Sequence, residues 1–316
     1  MRNEFEFIRN IKDKYGLSRV GDDCAVLPKD ARKDLIITAD LLVEDIDFRL
    51  EWTRPELLGH KALAVSLSDV AAMGGTPKWA MLSIGIPEHL WKGQFVDKFY
   101  NGWFALAKQF RVELAGGDVS RTPDKMVIDS IVAGEVPRGG AIMRSGARPG
   151  DSIFVTGTLG GAAAGLKHLE SGRQFSKSRG SVRELMLRQL CPTPRVEVGK
   201  YLAMKNLATS MIDISDGLSA DLHHLCESSG VGARIDADLV PVDKNIFGFP
   251  ADQILRFAFA SGEDFELLFT SKSKKISSIK STPITRIGEI TSNIGVIELA
   301  SREKTIRLPR SGYRHF

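Results

Sequence analysis

What this sequence has little of narrows it first. Its three cysteines, Cys24, Cys191 and Cys226, are widely separated and form no C-x-x-C pair. That excludes a disulfide framework and leaves no cysteine zinc signature. His223 and His224 are adjacent, so on a helix they point about 100° apart and cannot chelate one metal as an i, i+4 pair would. No apolar run approaches the length that spans a bilayer, and the opening MRNEFEFIRN lacks an apolar signal core. No charge of one sign dominates, since 43 Lys and Arg stand against 39 Asp and Glu. Composition therefore points to no nucleic-acid or membrane partner. The densest basic stretch, Ser271–Lys280, reads as a solvated surface helix or loop. What remains is a soluble globular chain of 316 residues, long enough for one large or two medium domains and expected in the cytoplasm.

The stretch around which the rest is organised is Lys61–Gly75, KALAVSLSDVAAMGG. Thr53 and Glu56 have capping-box spacing, Pro55 suits a first turn, and Gly74, Gly75 and Pro77 form a stop, so a helix is predicted between them. Its side chains are small or apolar on all faces, the mark of a buried helix. Asp69 lies within it, with Ser66 one turn earlier on the same side. A buried carboxylate needs a partner, which is an arginine, a set of backbone amides or a divalent cation.

Elsewhere, aspartates recur at predicted strand ends or beside glycine. Residues 1–20 read as an amphipathic helix with Phe5, Ile8 and Ile11 in register, followed by Gly21-Asp22-Asp23 before an apolar run. Asp34–Thr38 reads as a short strand delivering Asp40, and Val43–Phe48 alternates apolar and acidic residues as a half-buried strand would. Lys78–Ile86 is predicted as a strand and Trp91–Phe110 as a helix. Gly116-Gly117-Asp118 follows a short apolar strand. Lys125–Val136 is a further strand, and a domain boundary is placed near residue 140.

The second part opens with VTGTLGGAAAGLKHL, a strand, glycine loop and helix that could hold phosphate or simply pack closely. It has neither Walker A spacing nor a convincing dinucleotide fingerprint. Helices are predicted over Val182–Leu190 and after Pro192–Pro194. The strand Ala208–Ile214 leads into Asp213-Ile214-Ser215-Asp216-Gly217, where Asp216 suits a helix cap but Asp213 does not. Further strands at Val231–Ile235, Phe265–Thr270, Ile284–Ile290, Ile294–Leu299 and Thr305–Leu308 alternate with a helix at Asp252–Ala260. Asp22, Asp23, Asp40, Asp69, Asp118, Asp213 and Asp216 together offer hard oxygen ligands without His or Cys, which favours Mg²⁺. Such a site suits the phosphates of a nucleotide, with Arg144 as a fixed positive fork.

The ordered series Gly21-Asp22-Asp23, Thr38-Ala39-Asp40, Lys61–Gly75, Gly116-Gly117-Asp118, Arg144-Ser145-Gly146-Ala147, Asp213–Gly217 and Ser261-Gly262-Glu263-Asp264 resembles the thiamine-monophosphate kinases. Their superfamily includes aminoimidazole ribonucleotide synthetase and selenophosphate synthetase. The resemblance implies an α/β (α+β), two-domain architecture with mixed sheets flanked by helices. Residues 1–140 would bind ATP and Mg²⁺ and form a homodimer, and 141–316 would close over the site. It implies direct in-line phosphorylation of thiamine monophosphate by ATP, with no catalytic side chain of its own. By motif, Asp23, Thr38, Ala39, Asp40, Asp69, Asp118, Asp213 and Asp216 would serve magnesium. Gly117, Asp118, Arg144 and Ser215 would meet ATP, while Asp47, Glu263 and Tyr313 would meet the acceptor.

Asp47 stands where the family's V-E-G-x-H-F pattern has histidine, which removes a donor expected for the substrate phosphate. Tyr313 replaces a common tryptophan, and Leu41 and Ser66 replace usual polar residues. The alternatives are another ATP-using synthetase of the superfamily and a nucleotide-binding protein without turnover. A selenophosphate synthetase would carry a reactive Cys and a Lys before Gly21, and the sequence has no such pair there.

Overall fold

The computed structural model describes residues 4–301 and 304–313, with side chains from residue 6. The Phe5 side chain and the tail residues Arg314, His315 and Phe316 thus lie outside the described residues. The first part runs α1 (Glu4–Tyr15), β1 (Ala25–Pro28), β2 (Lys33–Val43), α2 (Pro55–Ala72), β3 (Thr76–Pro87), α3 (Glu88–Trp91), α4 (Phe95–Phe110), β4 (Glu113–Thr122) and β5 (Val127–Pro137). Its strands form one sheet in the order β1-β2-β5-β3-β4, antiparallel except for β3 beside β4. The second part contributes β6 (Ser152–Thr156), α5 (Gly161–Glu170), α6 (Gly180–Leu190), α7 (Val196–Met204), β7 (Ser210–Asp213), α8 (Leu218–Ser229) and β8 (Gly232–Asp236). It ends with α9 (Ala251–Ala260), β9 (Leu267–Ser271), β10 (Ser278–Ile279), β11 (Thr282–Thr291), β12 (Ile297–Ala300) and β13 (Thr305–Arg307). These strands make a mixed sheet, β13-β12-β8-β11-β6-β9-β7, with β10 paired to β11.

Period-two burial explains which side of the first sheet is covered. In β2 and β5, Ile36, Thr38, Leu42, Ile128, Ser130 and Val132 point inward, and α2 lies over them. The opposite face leaves Leu41 and Met81 exposed. Small residues let α2 sit deep. A Cβ on Gly59 would lie 1.9 Å from the Phe99 carbonyl of α4, and one on Gly102 of α4 would lie 1.8 Å from the Glu56 carbonyl.

Several local expectations are corrected. Helix α2 begins after an N-cap at Arg54, not Thr53, and no side chain caps it. Pro55 occupies the first turn and fixes the entry, which displaces the Thr53–Glu56 pair from capping register; Thr53 Oγ1 and Glu56 Oε2 are buried without hydrogen-bond partners among the described residues, and Glu56 Oε2 has only Arg54 Nε at 3.8 Å. Val43–Phe48 is a turn rather than a strand. The Asp47 carboxylate accepts the Val43 amide at 2.8 Å and Asp45 adopts φ 74°, so local side-chain bonding wins over pairing. Asp40 lies within β2 rather than just after a strand, because the strand continues to Val43. Gly116–Asp118 likewise belongs to β4 itself. The expected Trp91–Phe110 helix is split into α3 and α4.

Candidate active site

Asp69 projects from α2, Asp23 from the loop before β1, and Asp213 from the end of β7 in the other sheet. One carboxylate oxygen of each lies within 4.8 Å of the others. Each has a local hydrogen-bond partner. Thr38 donates to Asp69, Ser68 Oγ donates to Asp213 at 2.6 Å, and Arg144 Nη2 meets Asp23 Oδ1 at 2.8 Å. Beside them, Ser66 Oγ donates to Asp40 at 2.7 Å, so Ser66 serves Asp40 although it shares a helix face with Asp69.

These partners do not neutralise the cluster. Loss of solvent, then repulsion from Asp23, pushes Asp213 up to about 8. Loss of solvent also lifts Asp40 to about 6 against the Ser66 hydrogen bond. Asp69 rises well above the ordinary carboxylate value through burial and through the charges of Asp40, Asp213 and Asp23. Burial raises Asp23 too, although Arg144 opposes it. Carboxylates this close, with one arginine among them, are what a hard divalent cation would relieve. Among the described residues, neither of the protein partners foreseen for Asp69, an arginine or an amide set, is in place; the Arg144 side chain goes to Asp23.

A cavity of about 870 Å³ opens beside Asp40 and is walled by Asp47, Lys61, Ser215, Asp216, Glu263 and Tyr313. The three acceptor-side residues foreseen from sequence therefore share one wall system with three of the expected metal or ATP residues, Asp40, Ser215 and Asp216. Asp216 is not the cap of α8; Gly217 holds that position at φ 118°, and the Asp221 carboxylate accepts the Asp216 and Gly217 amides.

Asp118 is not brought to the cluster within one chain. It pairs in register with Ser83, and that row continues through Asp129 to Leu41 on the outward face, whereas Asp40 shares the inward row with Ser130 and Leu82. Ala39 lies on the outward face as well. Gly117 has a packing reason for being glycine, since a Cβ there would stand 1.9 Å from the Leu82 carbonyl. The glycine loop before α5 does not await phosphate either. Asp264 already accepts the Gly160 amide at 2.6 Å and the Ala162 amide at 3.2 Å.

Sequence reasoning passed over Lys61, Ser68, Gln189 and Asp221. A lone lysine inside an otherwise apolar helix was the visible signal for Lys61. The others become meaningful only once α2, α6 and α8 are packed.

Two domain models place the chain in a class. The AIR synthase related protein N-terminal domain matches residues 21–136, and the corresponding C-terminal domain matches 148–298. Within that class, the thiamine-monophosphate kinase of Salmonella typhimurium is 37% identical over 99% of this chain and 98% of its own length. That of Bacillus subtilis is 34% identical over 94% and 93%. The solved structure of AaThiL complexed with AMPPCP and TMP superposes with a TM-score of 0.88 at 33% identity, covering 99% of this chain and 97% of that one. The chain belongs to the thiamine-monophosphate kinase family.

Proposed function

We propose that the protein phosphorylates thiamine monophosphate to thiamine diphosphate at the expense of ATP. The observation that carries this reading is the convergence of Asp23, Asp69 and Asp213 from both halves of the chain, next to a cavity walled by Asp47, Glu263 and Tyr313. The AaThiL complex with AMPPCP and TMP, at 33% identity over nearly the whole chain, supports it.

Asp23, Asp40, Asp69, Asp213 and Asp216 would hold Mg²⁺, with the Thr38 hydroxyl and Ala39 carbonyl completing oxygen positions. When bound, magnesium supplies bridging of phosphate oxygens and neutralisation of the charge that develops on transfer. Arg144 is held at a fixed position by Asp23 and, through its own amide, by Asp22 Oδ1 at 2.6 Å. That fixation presents a guanidinium face to the nucleotide at little entropic cost. Ser215 and the Gly117 backbone would position ATP. The acceptor is already an anionic phosphate oxygen, so it attacks the terminal phosphorus without a general base, the bond to ADP breaks, and no protein nucleophile is required. Glu263 and Asp47 offer anionic surroundings, and Tyr313 an aromatic face, to a cationic heterocycle.

We further divide the chain near residue 140, between the two sheets, and infer a homodimer in the cytoplasm. The outward face of the first sheet, with Leu41 61% and Met81 48% exposed, would pack on its copy. Gly117 and Asp118 would then serve ATP and metal at that junction. No helix among the described residues is long and apolar enough to cross a membrane. Purified protein incubated with ATP, Mg²⁺ and thiamine monophosphate should yield thiamine diphosphate and ADP in equal amounts. Absence of thiamine diphosphate would refute the reading.

A further inference from the structure

An ion pair between a buried lysine and a partly exposed glutamate lies in the cavity wall. Lys61 has a side chain only 3% exposed, and its Nζ lies 2.6 Å from Glu263 Oε1. The second oxygen of Glu263 accepts from the Gln189 amide on α6. Both oxygens are thus gripped, by side chains from two different helices, while the carboxylate stays 31% exposed toward the cavity. Lys61 Nζ also donates to the Asp47 carbonyl at 3.2 Å, which ties the same ammonium to the turn after β2.

Glu263 itself sits at φ 67°, and Phe265 at φ 50°, a backbone region that non-glycine residues rarely adopt. The surrounding loop is pinned to hold it. The Glu263 amide donates to the Ser215 carbonyl at 2.9 Å, the Phe265 amide to the Ile214 carbonyl at 2.9 Å, and Asp264 is fixed on the amides before α5. A simple surface-loop acid needs none of this.

Distance along the elements says which end of a ligand meets Glu263. Lys61 precedes Asp69 by eight residues on α2, about 12 Å at the helical rise. Asp47 lies beyond the end of β2, and Val43 is already three residues, about 10 Å, past Asp40. The Lys61 end of the pair therefore stands about two helical turns from Asp69, while the Glu263 loop itself runs beside Ser215. An acceptor whose phosphate lies by Asp69 brings its ring end toward Lys61 and Glu263.

We propose that Lys61 and Gln189 are positioning residues that hold Glu263 as a fixed hydrogen-bond acceptor for the nitrogenous, cationic end of the phosphate acceptor. The proposal rests on the functional reading above and deepens it. A buried lysine beneath a carboxylate holds it in one orientation, so the ligand finds its partner pre-oriented. Loss of the lysine leaves Glu263 half-buried with one oxygen released.

Steady-state kinetics test this. Lys61→Met keeps chain length and removes the charge. It should raise KM for thiamine monophosphate at least tenfold while KM for ATP stays within twofold. Lys61→Arg should recover part of that loss. Gln189→Met should raise the same KM roughly threefold and leave the ion pair intact, and it carries the test alone if Lys61→Met does not fold. Folded variants with KM for thiamine monophosphate unchanged, or with both KM values rising together, overturn the positioning role. Wild-type turnover separates the two failures. Without it the proposed function falls and this inference with it, whereas turnover with unchanged variant KM values removes only the roles of Lys61 and Gln189.

Discussion

Asp213 and Asp69 show what a single residue gains from its neighbours. Alone, each is a carboxylate near glycine or within an apolar helix, and the sequence identified both as needing a partner. Their mutual approach was legible only as a series of motifs, because nothing in the spacing of residues 23, 69 and 213 states that a loop, a helix and a strand end meet. The consequence is a measurable pH dependence. Asp213 at about 8 and Asp40 at about 6 lie above their ordinary value of 3.8, so the folded, metal-free protein binds more protons than the unfolded chain between those limits. Stability is then unimpaired below about pH 4, falls between about pH 4 and 6 through both groups and between about 6 and 8 through Asp213, and levels off above about 8. In EDTA the Tm at pH 6 should exceed that at pH 8 by roughly 3 °C or more. Millimolar Mg²⁺ should restore the difference at pH 8. Asp69→Asn should raise the metal-free Tm at pH 8, abolish the Mg²⁺ response and lower turnover roughly 100-fold. Full activity in that variant would remove Asp69 from the metal site.

At the scale of elements, α2 explains why the cluster can exist. Its burial on every side was readable from KALAVSLSDVAAMGG, since a helix with no polar face has no solvent side to show. Its entry was not readable, because the Thr53–Glu56 spacing obeys a capping rule that the placement of Pro55 overrides by one residue. The Val43–Phe48 alternation misled for a related reason. Period two describes a strand, but Asp47 spends its carboxylate on the Val43 amide and turns the chain instead. The crossing of α2 with α4 is a matter of backbone contact, with Gly59 against the Phe99 carbonyl and Gly102 against the Glu56 carbonyl. Neither carbonyl can yield like a flexible side-chain tip. Gly59→Ala should therefore destabilise the protein by about 3 kcal/mol, the upper part of the usual overpacking range. Denaturant titration reads the change, and a loss below about 0.5 kcal/mol would show that the helices can separate freely. Because Asp69 rides on the same helix, activity at saturating Mg²⁺ should fall in the same variant.

For the whole molecule, the division of labour follows from where each sheet is covered. The inward face of the first sheet lies under α2, and the second sheet delivers Asp213 to that helix through the Ser68 hydrogen bond. The site thus needs both halves, which accounts for aspartate motifs spread over nearly two hundred residues of sequence. The outward face has no such cover. Asp118 sits there, in one row with Leu41, and cannot reach Asp69 through the sheet. Strand register decides this, and a motif such as Gly-Gly-Asp carries no register, so the sequence could name Asp118 without saying which side it serves. If the outward faces of two copies pack together, Leu41 and Met81 leave water and Asp118 gains a neighbour from the other chain. Met81→Lys places an unpaired charge at the centre of that contact and should convert a dimer to a monomer in size-exclusion chromatography with light scattering. Turnover should drop with the dimer fraction and recover at higher protein concentration, while the Tm of the isolated fold changes little, because Met81 is already half exposed in the single chain. A wild-type protein that is monomeric yet fully active, or a Met81→Lys variant that remains dimeric, would place the interface elsewhere and leave Asp118 outside the reaction.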